Sequence, residues 1–140
     1  MSGFLLDTNC ISELVRAKPE PAVLQWVSSV DEGLLFISVL TLGEIRKGIA
    51  TLPLSKRRVQ LEAWLESDLR KRFAGRLLEI DDAIAHRWGV LAAESNKAGM
   101  PVSVIDGLIA ATAQHHNLTV VTRNVKDFAG TQVPVFNPWK

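Results

Sequence analysis

Apolar positions along the chain follow two rhythms: short unbroken runs, and longer stretches with apolar residues three and four apart. The first run, Gly3-Phe4-Leu5-Leu6, stops at Asp7-Thr8-Asn9 and reads as a buried strand followed by polar residues able to cap a helix. That helix is expected from about Cys10 to Arg16, and Lys18-Pro19-Glu20-Pro21 breaks it. Val23, Trp26, Val27 and Val30 then recur at helical spacing. A second run, Leu34 to Ile37, precedes Ser38, which is placed to cap a helix from Val39 to Thr51. Ser55 to Phe73 is amphipathic, with Leu61, Trp64, Leu65 and Leu69 on one side and Arg57, Arg58, Arg70, Lys71 and Arg72 largely elsewhere. Leu77 to Ile80 makes a third strand, Asp81 caps a helix running to Ala98, and Gly99-Met100-Pro101 closes it. Ser103 opens a helix to His116. Leu118 to Thr122 is a fourth strand and Val133 to Phe136 a fifth, its Pro134 tolerated only at an edge. Strands this apolar have no wet face, so the alternation predicts an α/β fold, a parallel sheet covered by helices on both sides.

A length of 140 residues suits a single domain over 1–140. Hydrophobic residues at 47% and charged residues at 22% exclude disorder and rod-like repeats. No run approaches the roughly 18 apolar residues of a spanning helix, and the N-terminal run meets Asp7 too early for a secretory segment. The expectation is therefore a cytoplasmic protein that engages no membrane. Cys10, the lone cysteine, offers neither a disulfide nor a zinc cluster. The net charge of +1 is informative only if carboxylates are segregated. Gathering several of the acidic residues in one pocket would leave a basic surplus elsewhere, a surface suited to a polyanion.

Open parallel sheets form their sites in the crevice beyond the carboxyl ends of the strands. Asp7 ends the first strand, and Asn124 and Asp127 follow the fourth. Glu44 lies in the second turn of the helix after the second strand, and Asp106 in the first turn of the helix after Ser103. Carboxylates gathered within a few ångströms repel and raise one another's pKa, so a fold that collects them calls for a cation. Mg²⁺ or Mn²⁺, hard ions with oxygen ligands and several retained waters, supply one and can activate water toward a phosphodiester. Such chemistry predicts activity that climbs from about pH 5 to 8.

Each residue also has a structural reading. Asp106 fits a Ser-x-x-Asp capping box with Ser103, Asp7 can cap the first helix, and Glu44 can pair with Lys47. Asp81 and Asp82 also follow a strand and read simply as caps, so strand-end position alone is weak. His115 and His116 suit a solvated helix C-terminus, and His86 has no apparent carboxylate partner for nucleophile chemistry. A phosphatase with an aspartyl nucleophile is a rival, although it usually wants a second acid two positions on, where Asn9 stands.

Taken together, Leu-Leu-Asp7-Thr8-Asn9-Cys-Ile-Ser-Glu13, Thr41-Leu-Gly-Glu44-Ile-Arg-Lys-Gly48, Val104-Ile-Asp106-Gly-Leu-Ile-Ala-Ala-Thr112 and Val121-Thr-Arg-Asn124-Val-Lys-Asp127-Phe128 resemble the PIN-domain ribonucleases. The likeness is to the VapC and FitB toxins of bacterial type II toxin–antitoxin pairs. Phe73 to Leu78 and Val135 to Trp139 are similar to the FitB-like branch. The resemblance runs from Leu5 to Trp139. It implies a three-layer α/β/α fold with five parallel strands in the order 3-2-1-4-5. It implies that Asp7, Glu44 and Asp106 hold Mg²⁺ or Mn²⁺ for endonucleolytic hydrolysis of RNA, leaving a 5′-phosphate and a 3′-hydroxyl. Thr8 and Asn9 would orient Asp7 and water around the ion. The family often has a carboxylate directly after Thr-Arg on the fourth strand; here Asn124 stands there and Asp127 one turn later, which puts the second metal position in question. A cognate antitoxin, a homodimer, and DNA contact only through the antitoxin are also implied. Arg57, Arg58, Arg70, Lys71, Arg72 and Arg76 are candidates to guide RNA phosphates or a solvated face. A catalytically weak module that acts through its antitoxin in DNA binding and autoregulation is the alternative that Asn124 keeps open.

Overall fold

A computed structural model describes residues 2–140. The chain runs β1 (Phe4–Leu6), α1 (Thr8–Leu14), α2 (Pro21–Ser29), β2 (Leu35–Ser38), α3 (Val39–Ala50), α4 (Lys56–Ala63), α5 (Arg70–Arg72), β3 (Leu77–Leu78), α6 (Asp82–Lys97), α7 (Val104–His116), β4 (Thr119–Val121) and β5 (Val135–Phe136). Tight 3-10 turns cover Glu32–Leu34 and Val125–Thr131. All strand pairings are parallel, and the order is β3-β2-β1-β4-β5, as expected.

The sheet is apolar on both faces because successive residues of each strand point opposite ways into two separate cores. Leu6, Leu35, Ile37 and Val121 pack beneath α1, α2, α3 and the helical rod that follows, against Ile11, Val23, Leu42, Ile45 and Leu65. Leu5 and Val120 face the other way, against Leu91, Ile109, Ala110 and Phe128. Burying each such side chain contributes ~1.5–3 kcal/mol, so the two cores hold the strand ends in fixed register. Three of the four tryptophans, Trp26, Trp64 and Trp139, lie partly buried at the margin of the first core. Among the described residues no helix is long and apolar enough to cross a membrane.

Some boundaries differ from the expectation. α1 begins at Thr8 rather than Cys10, because Asp7 itself is the cap and accepts from the Thr8 N–H at 2.8 Å. The third strand shortens to two residues, leaving Glu79 and Ile80 outside the ladder. The expected helix from Ser55 to Phe73 is interrupted by a π-helical stretch over Trp64–Leu69, which changes the hydrogen-bond register between α4 and α5.

Strands are added in one direction across the sheet from β1 to β3 and in the other from β4 to β5, so the order switches between β1 and β4, the position at which open α/β sheets leave a crevice at their carboxyl ends. Leu6 is in register with Val121, and the Asp7 N–H extends the ladder to the Val121 carbonyl at 2.9 Å. Asp7 and Thr122 therefore leave the sheet side by side.

Candidate active site

Asp7 is buried, with 8% of its surface exposed, and both its oxygens are engaged. Oδ1 accepts from the Thr8 N–H, and Oδ2 accepts from the Thr122 hydroxyl at 2.9 Å. Thr122, wholly buried, also accepts from Asn9 Nδ2 and the Asn124 N–H, each at 3.1 Å, so its one donor and two acceptor positions are used. Thr122 was invisible as a site residue in the sequence. Only the adjacency of β1 and β4 brings it to Asp7, across 115 positions of chain.

Glu44 reaches the same edge from α3, whose start is set by the Ser38 hydroxyl accepting from the Leu40 N–H. The Thr8 hydroxyl donates to Glu44 Oε1 at 2.5 Å, and the Thr41 hydroxyl lies 3.4 Å from Thr8 Oγ1. Glu44 thus takes its hydrogen bond from the residue after Asp7, and it makes no ion pair with Lys47. Asp106 stands in the first turn of α7, where the Ser103 hydroxyl accepts from the Asp106 N–H at 3.2 Å. The capping reading thus holds for Asp7, whose own Oδ1 caps α1, and for Asp106 it holds in the half of the box that Ser103 makes by accepting from the Asp106 N–H.

The carboxylates feel one another. Burial pushes the Asp7 carboxyl above its ordinary value; bonds from Thr8 and Thr122 offset part of this, and the charges of Asp106 and Glu44 push it further up. Burial also raises Asp106, the bond with Ser103 lowers it, and the charges of Asp127 and Glu44 raise it again. Asp127 lines a cavity of about 380 Å³ together with Asp106, Ser103 and Lys126. Asn124 is exposed, and its side chain makes no hydrogen bond among the described residues. The fourth carboxylate that reaches Asp106 electrostatically is thus Asp127. A larger cavity, about 510 Å³ between α6, α7 and Thr131, contains none of these residues.

Among the described residues, no three His, Cys, Asp or Glu side chains form a ready-made metal cage. The donor set is nevertheless all oxygen, on one edge, and among the described residues no basic side chain is paired to Asp7 or Asp106. That fits a hard dication that keeps several waters and takes only one or two carboxylates directly.

Asn9 is committed to holding β4 beside α1, donating to Thr122 and accepting from the Arg123 N–H at 3.4 Å. Several basic candidates are tied internally. Arg72 forks onto Glu32, and Arg76 donates to Glu32 and to the Leu35 carbonyl. Arg57 and Arg58 hold the carbonyls of Val15 and Leu52, and Arg70 pairs with Glu66.

Residues 4–132 match the PIN domain family. The chain is 38% identical over 135 residues to Toxin FitB of Neisseria gonorrhoeae, covering 96% of this chain and 97% of that protein. It is 37% identical over 136 residues to VapC ribonuclease Y4jK of Sinorhizobium fredii, covering 97% of each. Its fold is similar to the structure of FitAB bound to an IR36 DNA fragment, with a TM-score of 0.93, 36% identity, and 98% and 96% of the two chains covered. A toxin–antitoxin complex from Klebsiella pneumoniae is similar at a TM-score of 0.70 and 27% identity, covering 97% and 98%. With an acidic edge at the β1–β4 switch point and likeness along almost its whole length, the chain belongs to the PIN-domain family, in its VapC/FitB branch.

Proposed function

We propose that this chain, a single PIN domain over 1–140, is the toxin of a type II toxin–antitoxin pair and an endoribonuclease dependent on Mg²⁺, with Mn²⁺ able to substitute. The relatives named as a toxin and as a ribonuclease support the class of activity. The observation that carries the site is the burial of Asp7 with no cation beside it, within the fields of Asp106 and Glu44. Asp7, Glu44 and Asp106 would hold the ion, one or two of them directly and the rest through its waters. When bound, the dication polarises the scissile phosphate and lowers the pKa of water.

The protein's own residues do the positioning. Thr122 and the Thr8 N–H fix both oxygens of Asp7, so the carboxylate keeps one orientation without a cation partner of its own. Thr8 ties Glu44 to that arrangement, and Asn9 holds Thr122 in place. Asp127, exposed and lining the same cavity as Asp106, is suited to accept a proton or orient water at the rim. A cognate antitoxin is the protein partner, DNA is met only through it, the toxin forms a homodimer, and the cytoplasm is where it meets RNA; the toxin–antitoxin complex of similar fold supports the first of these.

The test is cleavage of a labelled RNA mixture by antitoxin-free protein, with Mg²⁺, with EDTA, and in Asp7→Asn and Asp106→Asn. Mg²⁺-dependent cutting that both substitutions abolish is the expected result. Unchanged cutting by the variants would exclude this site, and no cutting under any condition would favour the non-catalytic module.

A further inference from the structure

Gly107 follows Asp106 in the first turn of α7 and is buried. A Cβ at this position would stand 2.9 Å from Nε1 and 3.0 Å from Cδ1 of Trp88, closer than side-chain carbons pack. The Nε1–Cδ1 edge of the indole therefore lies directly against the α7 backbone, and only a residue without a side chain admits it. The same Nε1 is buried and has no hydrogen-bond partner. A buried donor left unmade in this way carries a desolvation cost that a phenyl ring would not. Local choices that work against stability concentrate at functional sites, and this one touches the residue next to a candidate ligand.

Ser103 fixes where α7 begins, because its hydroxyl accepts from the Asp106 N–H. A cap does not fix how far that first turn stands from the neighbouring helix. Trp88, reaching across from α6, supplies the lateral contact at this level. We propose that Trp88 is a positioning residue for Asp106: its indole edge, seated against Gly107, sets where the Asp106 carboxylate stands relative to Asp7 and Glu44. The inference rests on the function proposed above. A displacement of about 1 Å at a reacting group costs up to about 10²-fold in rate, so the contact matters to turnover without touching RNA.

Three variants test it, each first shown to fold by circular dichroism and thermal melting. Gly107→Ala forces the ring and the helix apart. Trp88→Phe removes the Nε1 edge and leaves Gly107 in place. The double variant removes Nε1, the atom that the added Cβ would approach most closely. Gly89→Ala is the control, since a side chain there meets nothing within 4 Å. The readouts are kcat and KM on a labelled RNA, and Mn²⁺ affinity of antitoxin-free protein by electron paramagnetic resonance. Gly107→Ala is expected to lose about 10²-fold in kcat with KM within about twofold, and to bind Mn²⁺ more weakly. Trp88→Phe is expected to lose about fivefold, and the double variant to recover most of the Gly107→Ala loss. Should Gly107→Ala not fold, Trp88→Phe decides alone. Folded Trp88→Phe with unchanged kcat and Mn²⁺ affinity, or a Gly107→Ala loss that Trp88→Phe does not relieve, overturns the inference while leaving the ribonuclease reading intact. Wild-type protein that neither cuts RNA nor binds Mn²⁺ overturns both.

Discussion

The two ends of α1 each carry a buried carboxylate, and the fold treats them in opposite ways. At the C-terminal end, Glu13 is 3% exposed and accepts from Arg16 at 3.1 and 3.2 Å and from the Glu20 N–H at 2.8 Å. Burial opposes its charge, but those bonds and the nearby Arg16 and Arg123 outweigh it and hold the carboxyl below its ordinary value. At the N-terminal end, Asp7 receives hydrogen bonds but no cation, and its carboxyl is held above its ordinary value. One carboxylate is neutralised by a residue one turn away, while the charge of the other is opposed both by its burial and by neighbours that are themselves acidic. Under the proposed function, the counter-charge for a buried anion left without a partner, in a fold that supplies one nearby, would come from outside the chain.

The largest effect expected from this contrast is on chemistry. Asp7→Asn and Asp106→Asn should each lower RNA cleavage by about 10³-fold or more, while Glu13→Gln should leave turnover per folded molecule unchanged. An assay of Mg²⁺-dependent cutting at matched folded fractions checks both. Stability should run the other way. Glu13→Gln should cost about 1–3 kcal/mol at neutral pH, read from denaturant melts, whereas Asp7→Asn should hold or raise the melting temperature in EDTA.

Acid separates the two ends by sign. The Glu13 carboxyl is depressed in the folded state, so its contribution is present above its ordinary value of 4.5 and is lost as pH falls through the folded value. Those of Asp7 and Asp106 are raised from 3.8, so their charge destabilises the fold at neutral pH, and that penalty is relieved as pH falls through the raised values. Melting the metal-free protein between pH 7 and 4 should thus show Asp7→Asn losing its advantage in mild acid while Glu13→Gln keeps its deficit until lower pH. Cleavage should rise with pH through the window above the ordinary carboxylate range. The smallest effects are at the rim: Asp127→Asn should lower cutting by about tenfold, a share typical of a proton-handling group at the low end, and Asn124→Ala by less, since the Asn124 side chain is exposed and unbonded.

Much of this arrangement was legible in the order of residues, for identifiable reasons. Leu5 and Leu6, apolar in succession, announced a strand buried on both faces, and the run of strands and helices gave the layers. Asp81 and Asp7 looked alike, each ending a strand before a helix. Among the described residues the Asp81 side chain accepts only from the Ile84 N–H and Asp81 is exposed, whereas the Asp7 side chain gains Thr122 from a strand far along the chain. That difference is a property of the sheet order, and no local pattern carries it. The same holds for Thr122 and for the use of Thr8 on Glu44. Arg72 and Arg76 read as a free basic face because Glu32, 40 and 44 positions away, shows its partnership only after folding. The π-helical stretch at Trp64–Leu69 was hidden by an apolar spacing compatible with a continuous α-helix.

The account stands on a dication completing the charge that Asp7, Glu44 and Asp106 leave unbalanced. A crystal of the antitoxin-free protein grown with Mn²⁺, mapped by anomalous scattering, addresses this directly. The account predicts a peak at the β1–β4 edge with Asp7 or Asp106 oxygens about 2.0–2.4 Å from it. A structure with Mn²⁺ bound elsewhere, or with a protein cation seated against Asp7, would contradict it.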